Sequence, residues 1–350
     1  MTELAQYTTL GLGGPARSFT PAATDSELIG AVRVADAAAE LVLILGGGSN
    51  LVISDEGFPG VVVHVATRGV SFARSGEGVE VTVAAGEDWD DVVAATVAEG
   101  LAGLECLSGI PGRSGATPIQ NVGAYGQEVA ESIISVRAYD RLTGSVTIIP
   151  NDQCQFAYRT SMFKHGDAAG RYVVLDVTFG LHDEKLSRPV RYAELAAALG
   201  VSLGDRVPCG DARAAVLTIR GRKGMVISPD DPESRSAGSF FTNPVIDAGQ
   251  LAFVESVAAA RELGPVPRFD VGEGLVKVPA AWLIERSGFT KGYGTPGGAR
   301  VSAKHTLALV NAGAATTSSL IALAREIRDG VQKEFGVALA PEPILIGVGL

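Results

Sequence analysis

The stretch LVLILGGGSN, Leu41 to Asn50, is where the fold is decided. The apolar run 41–45 has the pattern of a buried strand, and it stops at three glycines. Glycine tolerates positive φ and lets a ligand come close, so a strand running into such a loop can turn several backbone N–H groups into one concavity. Gly46, Gly47, Gly48, Ser49 and Asn50 are thus a candidate phosphate cradle, with a plain glycine turn as the alternative. The residues that follow exclude two nucleotide-binding folds. A dinucleotide fingerprint needs a third spaced glycine and an opening helix, whereas Leu51 begins a second β-like run, LVIS; a Walker loop needs G-K-[ST], which is absent.

Outward from this loop the first half alternates short β-rich runs with glycine-rich loops. GVVVHV (60–65) and VEVTVAAG (79–86) read as strands, and DWDDVVAATVAEG (88–100) carries the acidic start and glycine stop of one helix. Helices are otherwise sparse there, which points to an α+β fold with small sheets. The texture changes after about residue 182. RYAELAAAL (191–199) and CGDARAAVLTIRGRK (209–223) read as helices, the second with Asp211 as a candidate N-terminal cap. SPDDPESRSAG (228–238) reads as a linker or exposed loop. Helical patterns follow at LAFVESVAAARELG (251–264), AAWLIERSG (280–288) and TTSSLIALAREIRDGVQKEFG (316–336), with a closing strand at PILIGV (343–348). A second domain is expected from about residue 215.

At 350 residues, 46% hydrophobic and 19% charged, the chain has the length and composition of a globular protein of two or three domains. No apolar run reaches the length of a membrane span, and MTELAQYTTL lacks the basic and apolar regions of a signal peptide, so a cytoplasmic protein is expected. Cys106, Cys154 and Cys209 are scattered and odd in number, which argues against a disulfide frame or a zinc site and for buried thiols. A net charge of −10 disfavours nucleic acid as a partner. An anionic ligand would need a local basic cluster, for which Arg220, Arg222 and Lys223, then Lys291, and then Arg300 and Lys304 are candidates, each with a solvated surface as its alternative.

Two further stretches carry chemistry. GLECLSGIPGRSGATPIQNVGAYGQEV (103–129) is a long polar, glycine-rich run between apolar segments, and such loops inside compact domains tend to be functional. It offers backbone donors, amide side chains and one aromatic, Tyr125, and together with Gly46–Asn50 it suits a large ligand with a pyrophosphate and a flat ring. AGSFFTNP (237–244) sets Ser239 between a glycine and two phenylalanines; taken alone it is a turn between strands.

In order along nearly the whole chain, LGGGSN (45–50), IPGRSGATPIQNVGAYGQE (110–128), FAYRTSMFK (156–164), AGSFFTNP (237–244), AAWLIERSGFTKG (280–292) and PEPILIG (341–347) resemble the UDP-N-acetylenolpyruvoylglucosamine reductases, or UDP-N-acetylmuramate dehydrogenases. The resemblance implies an FAD-binding domain of the vanillyl-alcohol-oxidase (PCMH) type at 1–182, in subdomains of about 1–65 and 66–182. It also implies a lid or connecting segment at 183–214 and an α+β substrate-binding domain at 215–350. It implies an enzyme that reduces FAD with NADPH and passes hydride to the enolpyruvyl group of UDP-N-acetylglucosamine enolpyruvate in peptidoglycan precursor synthesis, with no metal; the sequence does not show the oligomeric state, and a monomer is the expectation.

Residue by residue, the resemblance assigns FAD to Gly46, Gly47, Gly48, Ser49, Asn50, Pro111, Gly112, Gly115, Ala116, Gln120, Asn121, Gly123, Ala124 and Tyr125. Catalysis falls to Ser239 as proton donor, Arg159 at the substrate carboxylate and Glu342. Substrate contacts fall to Lys223, Asn243 and His305, and to Tyr192 of the lid found in one of the two subtypes. The chemistry suits these types. A guanidinium grips a carboxylate through two parallel hydrogen bonds and stays charged, whereas an unassisted hydroxyl is a weak acid that needs a neighbour. The rivals are a flavin oxidase or dehydrogenase of another small molecule on the same fold, and a noncatalytic nucleotide-sugar binding protein.

Overall fold

The computed structural model describes residues 1–76, 78–164 and 168–350. They group into two compact units, one of Met1–Thr2, Ala16–Gly47 and Pro59–Arg222, the other of Glu3–Pro15, Gly48–Phe58 and Lys223–Leu350.

In the first unit the strands Pro15–Ala22, Phe58–Val65 and Val42–Leu45 lie side by side, with Val42 opposite Val61 and Leu45 opposite His64 in a parallel pair. Helix Asp25–Ala37 crosses between them in sequence. Its capping box joins Thr24 and Glu27, a T-x-x-E signal that the reading of the first half as helix-poor passed over. A larger antiparallel sheet orders Ser145–Pro150, Ile133–Asp140, Tyr172–Asp183, Gly78–Ala84 and Val70–Ser75, with Leu101–Ala102 added to Tyr172–Asp183. Period-two burial of Val79, Val81 and Val83 meets Leu175, Val177 and Phe179, and with Trp89, Val92 and Val93 of helix Trp89–Ala98 they fill one core.

The expected helices at 191–199 and 209–223 are Ala193–Leu199, closed by Gly200 at φ +69°, and Cys209–Arg222. Asp211 is not the cap of the second. The Pro208 carbonyl accepts from the amides of Asp211 and Ala212, so the helix begins two residues earlier and Asp211 sits in its first turn. A carboxylate there still faces the positive end of the helix dipole.

The second unit has its own core, built from Val52, Phe240, Phe241, Leu283, Leu309, Leu320, Ile327 and Phe335 among others. Each buried phenylalanine contributes roughly 2–3 kcal/mol relative to exposure. Ser236–Ser239, Ala308–Asn311 and Ala299–Val301 form one antiparallel sheet; Val245–Ile246, Leu275–Lys277 and Phe269–Gly272 form another. Helix Thr317–Phe335 is capped by Thr316 and closed by Gly336 at φ +67°.

Two expectations shift. The boundary near residue 215 falls inside helix Cys209–Arg222, which groups with the first unit, and residues 48–58 group with the second. The reason for the latter is pairing: Leu51–Ile53 lies parallel to Ile344–Ile346, residue for residue. Nor is 228–238 a plain linker. Asp231 caps a short 3-10 turn, Pro232–Ser234, and Glu233 is buried in an ion pair with Arg300 while accepting from Ser302 Oγ (2.5 Å) and the Ala303 amide (2.8 Å). Among the described residues no helix is long and apolar enough to cross a membrane.

Candidate active site

Leu45 delivers the chain to Gly46–Asn50, and the glycines are required by space. A Cβ on Gly47 would stand 2.9 Å from Gly112 Cα, so the two glycine loops approach backbone to backbone. Gly48 has φ +57°, and a Cβ there would lie 2.0 Å from the Tyr7 carbonyl oxygen. Gly115 is equally constrained: its amide donates to Ala85 O (2.9 Å), and a Cβ would meet that of Ala85 at 2.4 Å. Pro111 and Gln120 are half-buried beside this turn, and Ala116 is exposed. Two loops with no room for a side chain where they meet fit what FAD requires, close backbone approach with N–H donors. Ser49 is half-buried; the Asn50 side-chain amide reaches the Glu342 carbonyl (3.4 Å), and the Asn50 carbonyl accepts from the Ile344 amide (2.9 Å). Asn50 therefore braces the C-terminal segment.

Gly123–Ala124 and Gln127–Glu128 form a hairpin in which Gln127 faces Ala124. Tyr125 and Gly126 between them have φ +50° and +81°, as a type I′ turn demands. Asn121, only 1% exposed and also at positive φ, donates through Nδ2 to Glu128 Oε2 (2.7 Å) and Ala157 O (3.1 Å) and accepts the Ala130 amide (3.1 Å). Its side chain is committed to the protein, so it frames the loop rather than presenting an amide to a cofactor. The carbonyl it holds begins the turn that carries Arg159: Ala157 and Thr160 exchange both backbone hydrogen bonds (3.1 Å each), with Tyr158 and Arg159 between them. Arg159 has φ +56°, a conformation costly for a long side chain and kept where the surroundings over-determine it. Its guanidinium lies over the Tyr158 ring, 5.6 Å to the centroid, and a Cβ on Gly123 would be 3.3 Å from its Nη1. Arg159 is thus packed on the loop that carries the candidate cofactor residues.

Tyr192 precedes helix Ala193–Leu199 and sits edge-on to Tyr125, ring centroids 5.5 Å apart. Burial pushes the Tyr125 phenol up to about 12, against the Arg220 guanidinium to which its hydroxyl is hydrogen-bonded. The sequence singled out Arg220 only as one cation among several; its burial, 6% exposed, separates it from exposed Arg222 and Lys291. Arg300 and Lys304 are engaged by Glu233 and Asp231.

In the second unit Gly238, φ +74°, puts a bulge in Ser236–Ser239 and brings Ser239 opposite Ala308. Phe240 and Phe241, each 1% exposed and packed edge-to-face at 5.1 Å, fasten the strand to the core and leave Ser239 half-buried. The Glu342 amide donates to the Phe240 carbonyl (2.9 Å), and Phe241 bridges Pro341. Glu342 and Ser239 are therefore one residue out of step on neighbouring extended segments. Asn243 Oδ1 accepts the Ala280 amide (2.9 Å), starting helix Ala280–Arg286, and Lys277 stands opposite Val245 just beyond it. Lys223 follows helix Cys209–Arg222 half-buried, and His305 sits half-buried in a turn with its amide on Ser302 Oγ (3.3 Å).

Residues 16–149 match the family described as FAD binding domain, and residues 230–346 match the C-terminal domain of UDP-N-acetylenolpyruvoylglucosamine reductase. The chain is 55% identical to UDP-N-acetylenolpyruvoylglucosamine reductase of Thermobifida fusca, covering 99% of this chain and 97% of that protein. It is 56% identical to that of Saccharopolyspora erythraea, covering 100% and 96%. The crystal structure of the Thermus caldophilus reductase superposes with a TM-score of 0.64 at 25% identity, over 99% of this chain and 97% of the other. The α+β fold, with an FAD-binding domain ahead of a C-terminal domain of its own, agrees with the expectation. With both halves matched and more than half of all residues shared over the full length, the chain belongs to the UDP-N-acetylenolpyruvoylglucosamine reductase family.

Proposed function

We propose that the protein reduces UDP-N-acetylglucosamine enolpyruvate to UDP-N-acetylmuramate in peptidoglycan precursor synthesis, as an NADPH-dependent flavoprotein. The chemistry supplied by bound FAD is hydride transfer from NADPH to the terminal carbon of the enolpyruvyl alkene. Gly46, Gly47, Gly112, Gly115 and the 123–125 turn would hold it. Negative charge then grows on the adjacent carbon and its conjugated carboxylate, where Arg159 provides two parallel donors that stay charged at any working pH. Ser239 gives its proton to that carbon, and Glu342 supports the hydroxyl in doing so. Lys223 suits the diphosphate as a point charge, Asn243 and His305 the rest of the nucleotide sugar, and Tyr192 a lid over it.

The observation that carries this reading is the hydrogen bond from the Glu342 amide to Phe240. It keeps the backbone of the Glu342 segment beside the strand that ends at Ser239, and a carboxyl group and a hydroxyl on neighbouring segments are a pair that an alcohol oxidase would not need. Both substrates are nucleotides of the cytoplasm, where we assign the enzyme as a monomer. The test is spectroscopic: NADPH bleaches the flavin absorbance and the enolpyruvyl sugar restores it. A preparation that is colourless and cannot be reconstituted with FAD, or a bleached flavin that the sugar leaves reduced, contradicts the assignment.

A further inference from the structure

Helix Cys209–Arg222 turns one face toward the 103–129 loop. Arg213 grips Asp90 through both oxygens (2.6 and 2.9 Å), and Asp90 also accepts the Gly109 amide (2.6 Å). Val216 and Ile219 pack in a small apolar cluster with Tyr125 at its margin. Arg220, seven residues after Arg213 and so on the same face, is buried against Tyr125 and hydrogen-bonded to its hydroxyl. Two guanidiniums therefore bracket the two-residue strand Gly123–Ala124: Arg159 rests against its first residue, and Arg220 holds the tyrosine that follows its second.

We propose that Arg220 is a positioning residue of the carboxylate site, fixing the Tyr125 turn beneath Arg159 and adding a second fixed positive charge to the field the substrate carboxylate enters. This rests on the reaction proposed above. Burial lowers the affinity of Arg220 for its proton, but arginine starts so high that it stays charged. The charges facing it are Arg159, which repels it, and Asp90, which is already held by Arg213 on both oxygens. Two like charges kept together in a partly dry setting cost free energy, and an arriving anion relieves that repulsion. Tyr192, edge-on to Tyr125, extends the same arrangement to the lid.

The test uses the FAD-loaded enzyme and two ligands, UDP-N-acetylmuramate, which carries the carboxylate, and UDP-N-acetylglucosamine, which does not. Binding is read by calorimetry and by the flavin difference spectrum. Arg220→Met is expected to weaken UDP-N-acetylmuramate at least 10-fold while changing UDP-N-acetylglucosamine less than 2-fold. Arg220→Lys, which keeps the charge and loses the fork, is expected to weaken the carboxylate ligand about 3-fold and guards against a Met variant that does not fold. Unchanged discrimination between the ligands in either folded variant, or equal weakening of both ligands, overturns the role of Arg220. Failure of the unaltered holoenzyme to bind either ligand overturns the proposed reaction and this role with it.

Discussion

The Glu342 amide donates to the Phe240 carbonyl at 2.9 Å, so a residue near the C-terminus is fixed one step along the backbone from Ser239. Thr242 adds a second bond, its amide to the Ala340 carbonyl at 3.1 Å, and the segments on either side of the serine cannot drift independently. An unassisted hydroxyl is a weak acid, so Ser239 can act as a proton donor only with a neighbouring group that shares the proton. Ser239→Ala is therefore expected to leave flavin reduction by NADPH intact and to slow reoxidation by the enolpyruvyl sugar by roughly 10²–10⁴-fold, the usual contribution of a general acid. Stopped-flow absorbance separates the two half-reactions, and equal reoxidation rates would remove Ser239 from the chemistry.

Arg159 is held by a turn whose first carbonyl is fastened by Asn121, and this couples two mutations of different kinds. Arg159→Lys keeps the charge but loses the fork, and should cost on the order of 2 kcal/mol or more in kcat/KM. Asn121→Ala touches no reacting atom, yet it strands the Ala130 amide and takes a donor from the Glu128 carboxylate and from the Ala157 carbonyl, which keeps only the Thr160 amide. It should lower stability by about 2–4 kcal/mol, since a buried polar group left without its partner costs roughly 1–3 kcal/mol. Denaturant melts of the two variants decide it: the lysine variant should melt with the parent and the alanine variant well below it.

The same pair marks what was legible in the sequence. Gly47 and Gly112 read as cradle residues from the glycine-rich runs that hold them, with a plain turn as the alternative for the first, and the structure shows why glycine is needed: a Cβ on Gly47 would stand 2.9 Å from Gly112 Cα. Asn121 sits in the same run and read as a ligand amide, but a polar side chain in a loop looks alike whether it faces a cofactor or the protein. Arg220 lay among other basic residues in IRGRK, and only the packing of the helix decides which of them turns inward. The strand partnership of Leu51–Ile53 with Ile344–Ile346 spans nearly the whole chain, and local pattern carries no information about such a pairing. Capping signals fared unevenly. Thr24 with Glu27 was there to be read, while Asp211 was displaced by Pro208, whose carbonyl starts the helix earlier.

The glycine cradle is tested by two neighbouring substitutions that differ only in what surrounds them. A methyl on Gly47 meets backbone at Gly112, which cannot move aside, whereas a methyl on Gly46 meets only the flexible Arg113 side chain at 3.4 Å. Gly47→Ala should lose 1–3 kcal/mol to overpacking and purify with little flavin; Gly46→Ala should keep its colour. The ratio of flavin absorbance to protein absorbance measures this directly, and equal loadings would mean that the two loops do not meet around the cofactor.

The last prediction concerns pH. Asp55 accepts the amides of Thr317 (2.7 Å) and Ser318 (2.8 Å) and the Ser318 hydroxyl (2.7 Å) at the start of helix Thr317–Phe335. Partial desolvation raises its pKa, but the hydrogen bonds from Ser318 and Thr317 together outweigh that and hold the carboxyl below its ordinary value of 3.8. A group whose pKa is depressed by folding contributes its full stability above the unfolded value and loses it as pH falls through the folded one. The contribution should be complete at pH 5 and above and be lost progressively as pH falls below 3.8 and through the lowered folded value. Because Asp55 is exposed, its worth is the modest one of a charge at a helix N-terminus, about 1 kcal/mol. Asp55→Asn should therefore lower stability by that amount at pH 7 and by nearly nothing at the acid end, where the parent carboxyl is itself neutral. Urea melts at both pH values check this, and a deficit in the variant that is the same at pH 7 and at the acid end would show that the carboxylate charge is not what the helix start uses.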